Sequence, residues 1–180
     1  MNNKKAAMEM SIGTIVTIVL SMTLLIGGIM LVTNISGSGN DIVDMSTDQI
    51  TNQLSQMFGE DNKLVMYPNS GGVDAKIDEK AGFLFGIKNT IEGTSGMNLD
   101  FSYKVVVEDV GNCGMMKSEI ADWITLGETG VVPIAPRSVE NGKVVLTIPD
   151  YAPKCNFRLR VNVKANDMNY ATGIMDVYIK

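Results

Sequence analysis

From Ser11 to Ile35 the chain has no charged residue, and Ile, Val, Leu and Met dominate the run. A helix rises 1.5 Å per residue, so this stretch would reach about 37 Å, more than the roughly 30 Å hydrocarbon core of a bilayer. It is too long for the apolar region of an ordinary secretory signal, which spans about 7 to 15 residues. Gly37-Ser38-Gly39-Asn40 breaks the run with residues suited to a hinge. Asp41 to Phe58 then returns to helical spacing, with Val43, Ile50, Leu54 and Met57 on one face and Gly59 as a stop. Ser46 and Gln49 stand at capping-box distance, which predicts a regular helix from near Thr47.

Beyond Lys63 the apolar period falls to two, in short runs separated by turn residues. Candidate strands are Lys63 to Tyr67, Val73 to Ile77, Gly82 to Asn89, Leu99 to Val110, Trp123 to Leu126, Val131 to Ala135, Lys143 to Pro149, Asn156 to Ala165 and Thr172 to Lys180. After Cys155, Phe157, Leu159, Val161 and Val163 alternate with Asn156, Arg158, Arg160, Asn162 and Lys164, so one set faces inward and the other out. Phe83, Phe85 and Ile87 form a second inward set, and Met175, Val177 and Ile179 a third. Asn141-Gly142 predicts a two-residue hairpin, since both residues accept positive φ. Pro133 and Pro136 push the strand they touch to a sheet edge. The predicted fold class is α+β: a long N-terminal hydrophobic helix, a short amphipathic helix, and an antiparallel, immunoglobulin-like β-sandwich head.

Composition narrows the chemistry. The 180 residues have a formal net charge of −5 and no histidine. Nucleic-acid binders usually have a basic surplus that displaces counterions, so no nucleic-acid partner is expected. Without histidine there is no histidine-based triad, imidazole base or histidine-ligated metal. Phosphate loops, dinucleotide fingerprints and nucleophile elbows are also missing. No catalytic residue, cofactor or metal site is therefore assigned, and the chain is not read as an enzyme. Asp41, Asp44 and Asp48 could share a helical face, but they lack the glycine and terminal glutamate of a calcium loop; the preference of a helix N-terminus for negative charge explains them. Arg158, Arg160 and Lys164 form an outward row, read as a solvated sheet face. Cys113 and Cys155 both fall in the predicted head and are expected to pair as a disulfide if the head is exported. The alternative is two buried, reduced thiols.

Lys4 and Lys5 precede the apolar run, and the next basic residue is Lys63. By the positive-inside rule this asymmetry predicts a single-pass protein of the cell membrane, with its N-terminus cytoplasmic and its head outside. Within the run, Gly13, Thr17 and Ser21 recur every four residues and Gly28 follows seven further on, so they share a helical face. Two readings stay open. Such a stripe lets apolar helices approach closely and self-associate, or Ser and Thr are tolerated there through bonds to preceding carbonyls.

Lys4-Lys5-Ala6-Ala7-Met8-Glu9, followed by Met10-Ser11-Ile12-Gly13-Thr14-Ile15-Val16, resembles the class III signal peptides of archaeal type IV pilins and archaellins. The match covers about the first 35 residues, with Ala6 where glycine is commoner. The resemblance implies that a prepilin peptidase cuts between Ala6 and Ala7, that Lys4 and Lys5 are leader and topology charges, and that the hydrophobic helix survives in the mature chain. It also implies that Glu9 meets a neighbouring subunit's free amine, since a buried carboxylate needs a partner. The divisions become a leader at 1–6, a transmembrane or filament-core helix at 7–36, a hinge and amphipathic helix at 37–60, and an extracytoplasmic head at 61–180. The expected function is that of a structural subunit in a type IV pilus-like or archaellum-like surface filament. Its expected partners are the membrane, copies of itself and the peptidase. The alternative is a single-pass, membrane-anchored sandwich that binds a surface molecule without polymerising.

Overall fold

The structure, a computed structural model, describes residues 13–26, 39–59, 61–91 and 98–180. Two compact units divide the chain, Met1–Gly37 and Ser38–Lys180. In the first, residues 13–26 form a helix, α1. The second holds α2 (Gly39–Val43), α3 (Thr47–Ser55), β1 (Leu64–Tyr67), β2 (Gly72–Ala75), β3 (Lys80–Lys88), β4 (Leu99–Asp109), α4 (Lys117–Ala121), β5 (Ile124–Leu126), β6 (Thr129–Ile134), β7 (Val139–Thr147), β8 (Asn156–Ala165) and β9 (Met168–Ile179).

Two expectations fall here. The molecule is mostly β, a two-sheet sandwich, and among the described residues no long hydrophobic helix accompanies it, so the α+β class is corrected to a β-sandwich. At 1.5 Å per residue the described length of α1 is about 21 Å, short of the roughly 30 Å a span needs. Among the described residues no helix is long and apolar enough to cross a membrane, so the single-pass anchor and the assignment of sides built on it are not supported. The uncharged run that suggested a span extends past α1 at both ends into residues outside the described set.

One sheet has the order β1-β3-β7-β5, the other β2-β9-β8-β4-β6. Period-two patterning explains the core between them. Phe157, Leu159, Val161 and Val163 of β8 are buried, as are Met175, Val177 and Ile179 of β9 and Phe101, Val105 and Val107 of β4. Across the interior, Phe83, Phe85 and Ile87 of β3 meet them, and Phe85 packs edge-on against Tyr103 with centroids 4.8 Å apart. Burial pushes the Tyr103 phenol above its ordinary pKa. β6, which contains Pro133, sits at a sheet edge, where a missing amide donor is tolerated. The sandwich is not wholly antiparallel, because β2 runs parallel to β9.

β3 is buried along both faces, from Ala81 to Ile87. Its inward side chains fill the sandwich, while its outward face, with Gly82, Leu84 and Gly86, is covered by residues from α2 to Phe58. Ile42, Ile50 and Leu54 are buried there, and a Cβ on Gly86 would lie 2.7 Å from the Phe58 ring. The expected single helix from Asp41 to Phe58 is two helices. Ser46 caps the second: its Oγ accepts from the Gln49 amide, and Gln49 Oε1 accepts from the Ser46 amide at 3.0 Å. Ile42, not Val43, is the buried side chain of the first helix. Lys143 Nζ donates to the Val43 carbonyl, and Asn141 Nδ2 to Thr51 Oγ1 at 3.1 Å, tying the helices to β7.

Asn141 and Gly142 do not form a hairpin turn. They lie inside β7, opposite Gly86 and Phe85 of β3. The Phe85 ring covers Gly142 so closely that a Cβ there would be 2.1 Å from Cζ. The glycine serves close approach, not a turn.

Asn89 at the end of β3 is fully buried, yet its polar atoms are matched. Nδ2 donates to the Ile134 carbonyl at 2.9 Å, Oδ1 accepts from the Ile91 amide at 3.0 Å, and its own amide and carbonyl bond Ser138 and Arg137. Nearby, the Tyr170 hydroxyl donates to the Lys88 carbonyl at 2.6 Å and accepts from the Thr90 amide at 3.0 Å. Cys113 and Cys155 are disulfide-bonded, joining the segment after β4 to the start of β8. Trp123 is buried, edge-on to Phe157 at 5.8 Å.

Two substitutions test this packing. Gly142→Val should destabilise the head by about 1–3 kcal/mol, the usual penalty for overpacking, read as a lower urea midpoint at unchanged slope. An unchanged midpoint would show that Phe85 can leave the glycine at no cost. Removing the disulfide with Cys113→Ser and Cys155→Ser should lower stability by about 4 kcal/mol, the chain-entropy value for a separation of 42 residues. Reductant should then no longer shift the melting temperature of the double variant.

Candidate functional site

Two surfaces stand out once the core is accounted for. The first is α1. Every residue from 13 to 26 is exposed and none is charged. Its nine large apolar side chains, Ile15, Val16, Ile18, Val19, Leu20, Met22, Leu24, Leu25 and Ile26, are 51% to 72% exposed. At about 100° per residue, all of these except Leu24 wrap roughly 220° of the helix circumference. Gly13, Thr17 and Ser21 occupy the remaining arc, with Leu24 set among them.

Two threonines of this helix direct their hydroxyls to its own backbone. Thr17 Oγ1 donates to the Gly13 carbonyl at 2.9 Å, four residues back. Thr23 Oγ1 does the same toward Val19 at 3.1 Å and Leu20 at 2.9 Å. With their hydroxyls satisfied internally, Thr17 and Thr23 present methyl groups outward. A helix that is apolar around most of its circumference is ordinarily buried. Close approach remains open to the Gly13, Thr17 and Ser21 face, because those residues are small. Gly28, Lys4, Lys5, Ala6, Ala7 and Glu9 lie outside the described residues.

The second surface is the outer face of the five-stranded sheet, where the predicted basic row projects. Its arginines meet acidic partners on neighbouring strands. Arg158 donates to both Asp176 oxygens, at 2.7 and 3.1 Å. The hydrogen bond that Arg158 donates to Asp176, and the charge of that carboxylate, raise the Arg158 pKa further, so the guanidinium stays protonated. Arg160 makes a two-bond contact with Glu108 of β4, and Lys180 Nζ bonds Asp74 of β2 at 2.5 Å. These pairs bridge β9 to β8, β8 to β4, and Lys180 just past β9 to β2, while Lys164, the third cation of the row, is exposed. The sequence row revealed the arginines but not Asp176, Glu108 or Asp74, whose places depend on strand register.

Metal ligation finds no cluster. Asp41 lies in α2, Asp44 between the helices and Asp48 in the first turn of α3, all exposed. Among the described residues no group of three or more His, Cys, Asp or Glu side chains is placed to hold an ion.

Comparison with protein-family models finds no match, and comparison with curated protein sequences finds none. Similar solved structures include a family 123 glycoside hydrolase from Clostridium perfringens, 13% identical with a TM-score of 0.40, over 60% of this chain and 22% of that one. The CARDB domain of a Pyrococcus furiosus protein, solved with di-metal ions, is 12% identical at a TM-score of 0.40, over 66% of this chain and 86% of its own. Self-complemented MyfA, the major subunit of Myf fimbriae from Yersinia enterocolitica, solved with galactose, is 7% identical at 0.35, over 65% and 96%. None of these likenesses bears on what this chain binds.

The ion pairs give a test. A double-mutant cycle on Arg160 and Glu108 should return a coupling of at most about 1 kcal/mol, because both groups are partly exposed. That coupling should shrink between 0.05 and 0.5 M salt. A larger, salt-independent value would mean that the pair is shielded from solvent.

Proposed function

We propose that this chain is a structural subunit of a type IV pilus-like or archaellum-like surface filament, in which α1 packs against copies of itself while the β-sandwich forms the outer part. The observation that supports this most is the exposed apolar circumference of α1. The sandwich has its own core, built from Ile42 onward. Covering an exposed aliphatic side chain is worth on the order of 1 kcal/mol even at partial burial, so a bundle of like helices gains from each of the nine. Gly13, Thr17 and Ser21 supply the face on which two such helices come closest.

Further support comes from the resemblance of the first residues to a class III signal peptide. Under this reading a prepilin peptidase, directed by Lys4 and Lys5, cuts between Ala6 and Ala7. Glu9 then stands third in the mature chain, where it neutralises the new amine of an adjacent copy. The disulfide is in keeping with a surface location, since such bonds persist in oxidising surroundings.

The test is production of the full chain together with a prepilin peptidase. Mass spectrometry should find Ala7 at the start of the mature protein, and electron microscopy should find filaments. Leu24→Lys puts a charge on the helix face shared with Thr17 and Ser21, and should abolish filaments while leaving the melting curve and disulfide of the head unchanged. A mature chain that begins at Met1 or Asn2 and stays monomeric would overturn the proposal. So would filaments that persist in the Leu24→Lys variant.

A further inference from the structure

We draw no further inference here: the strongest candidate, the open groove of about 630 Å³ between Gln56 and Met57 after α3, the edge strand β1 and Ile174 of β9, has no charged side chain in its lining, and nothing in the structure shows what covers it.

Discussion

The head is organised around a single strand that must be dry on both sides. β3 gives Phe83, Phe85 and Ile87 to the sandwich interior and Gly82, Leu84 and Gly86 to the opposite face. An antiparallel sheet ordinarily exposes one face to water, and its strands then alternate apolar with polar. Here the second face is apolar or bare, so it requires a cover, and α2 and α3 provide it through Ile42, Ile50 and Leu54. The glycines set how close that cover comes, since Gly86 leaves space for the Phe58 ring. On the inner side Gly142 does the same for Phe85. The two-helix segment is therefore part of the folded head, which agrees with the compact unit beginning at Ser38.

How far the sequence shows this fold depends on the kind of signal. Strands with one buried face alternate clearly: β8 could be read residue by residue, and the inward set Met175, Val177 and Ile179 of β9 likewise, although β9 begins at Met168, four residues before the predicted Thr172. The capping box at Ser46 was equally local and marked where α3 begins. Asn141-Gly142 misled because a glycine that accepts positive φ and a glycine that makes room for a ring are identical in sequence. Only the pairing with Phe85 tells them apart, and that pairing joins residues far apart in the chain. The parallel contact of β2 with β9 was hidden for the same reason. Both are tertiary facts with no local trace.

Site chemistry follows the same division. The apolar run was plain from composition, and α1 keeps its exposed apolar character within the described residues. Inferring a membrane span from the length of that run went too far, because a window free of charge does not set how many of its residues form one helix. The outward row on β8 was visible through alternation, but its neutralisation was not. Asp176 faces Arg158 in the register of β8 and β9, and Glu108 comes from the other neighbouring strand. Two of the three cations in the row thus stand in cross-strand pairs, each modest in energy.

What links the two units chemically is a contrast in how each disposes of its polar groups. In the head, Trp123 Nε1 and Asn141 Oδ1 are buried without a partner, but Asn89 is matched with Ile134 and Tyr170 with Lys88 over long sequence distances. Such bonds form only when the chain has folded on itself, so they mark a unit that is complete in its own interior. In α1, Thr17 and Thr23 bond carbonyls three or four residues back, and these bonds need no partner beyond the helix. Turning these two hydroxyls inward leaves dispersion and apolar burial as the main interactions those positions have to offer. Those are non-directional, whereas the long-range bonds of the head each require one particular partner.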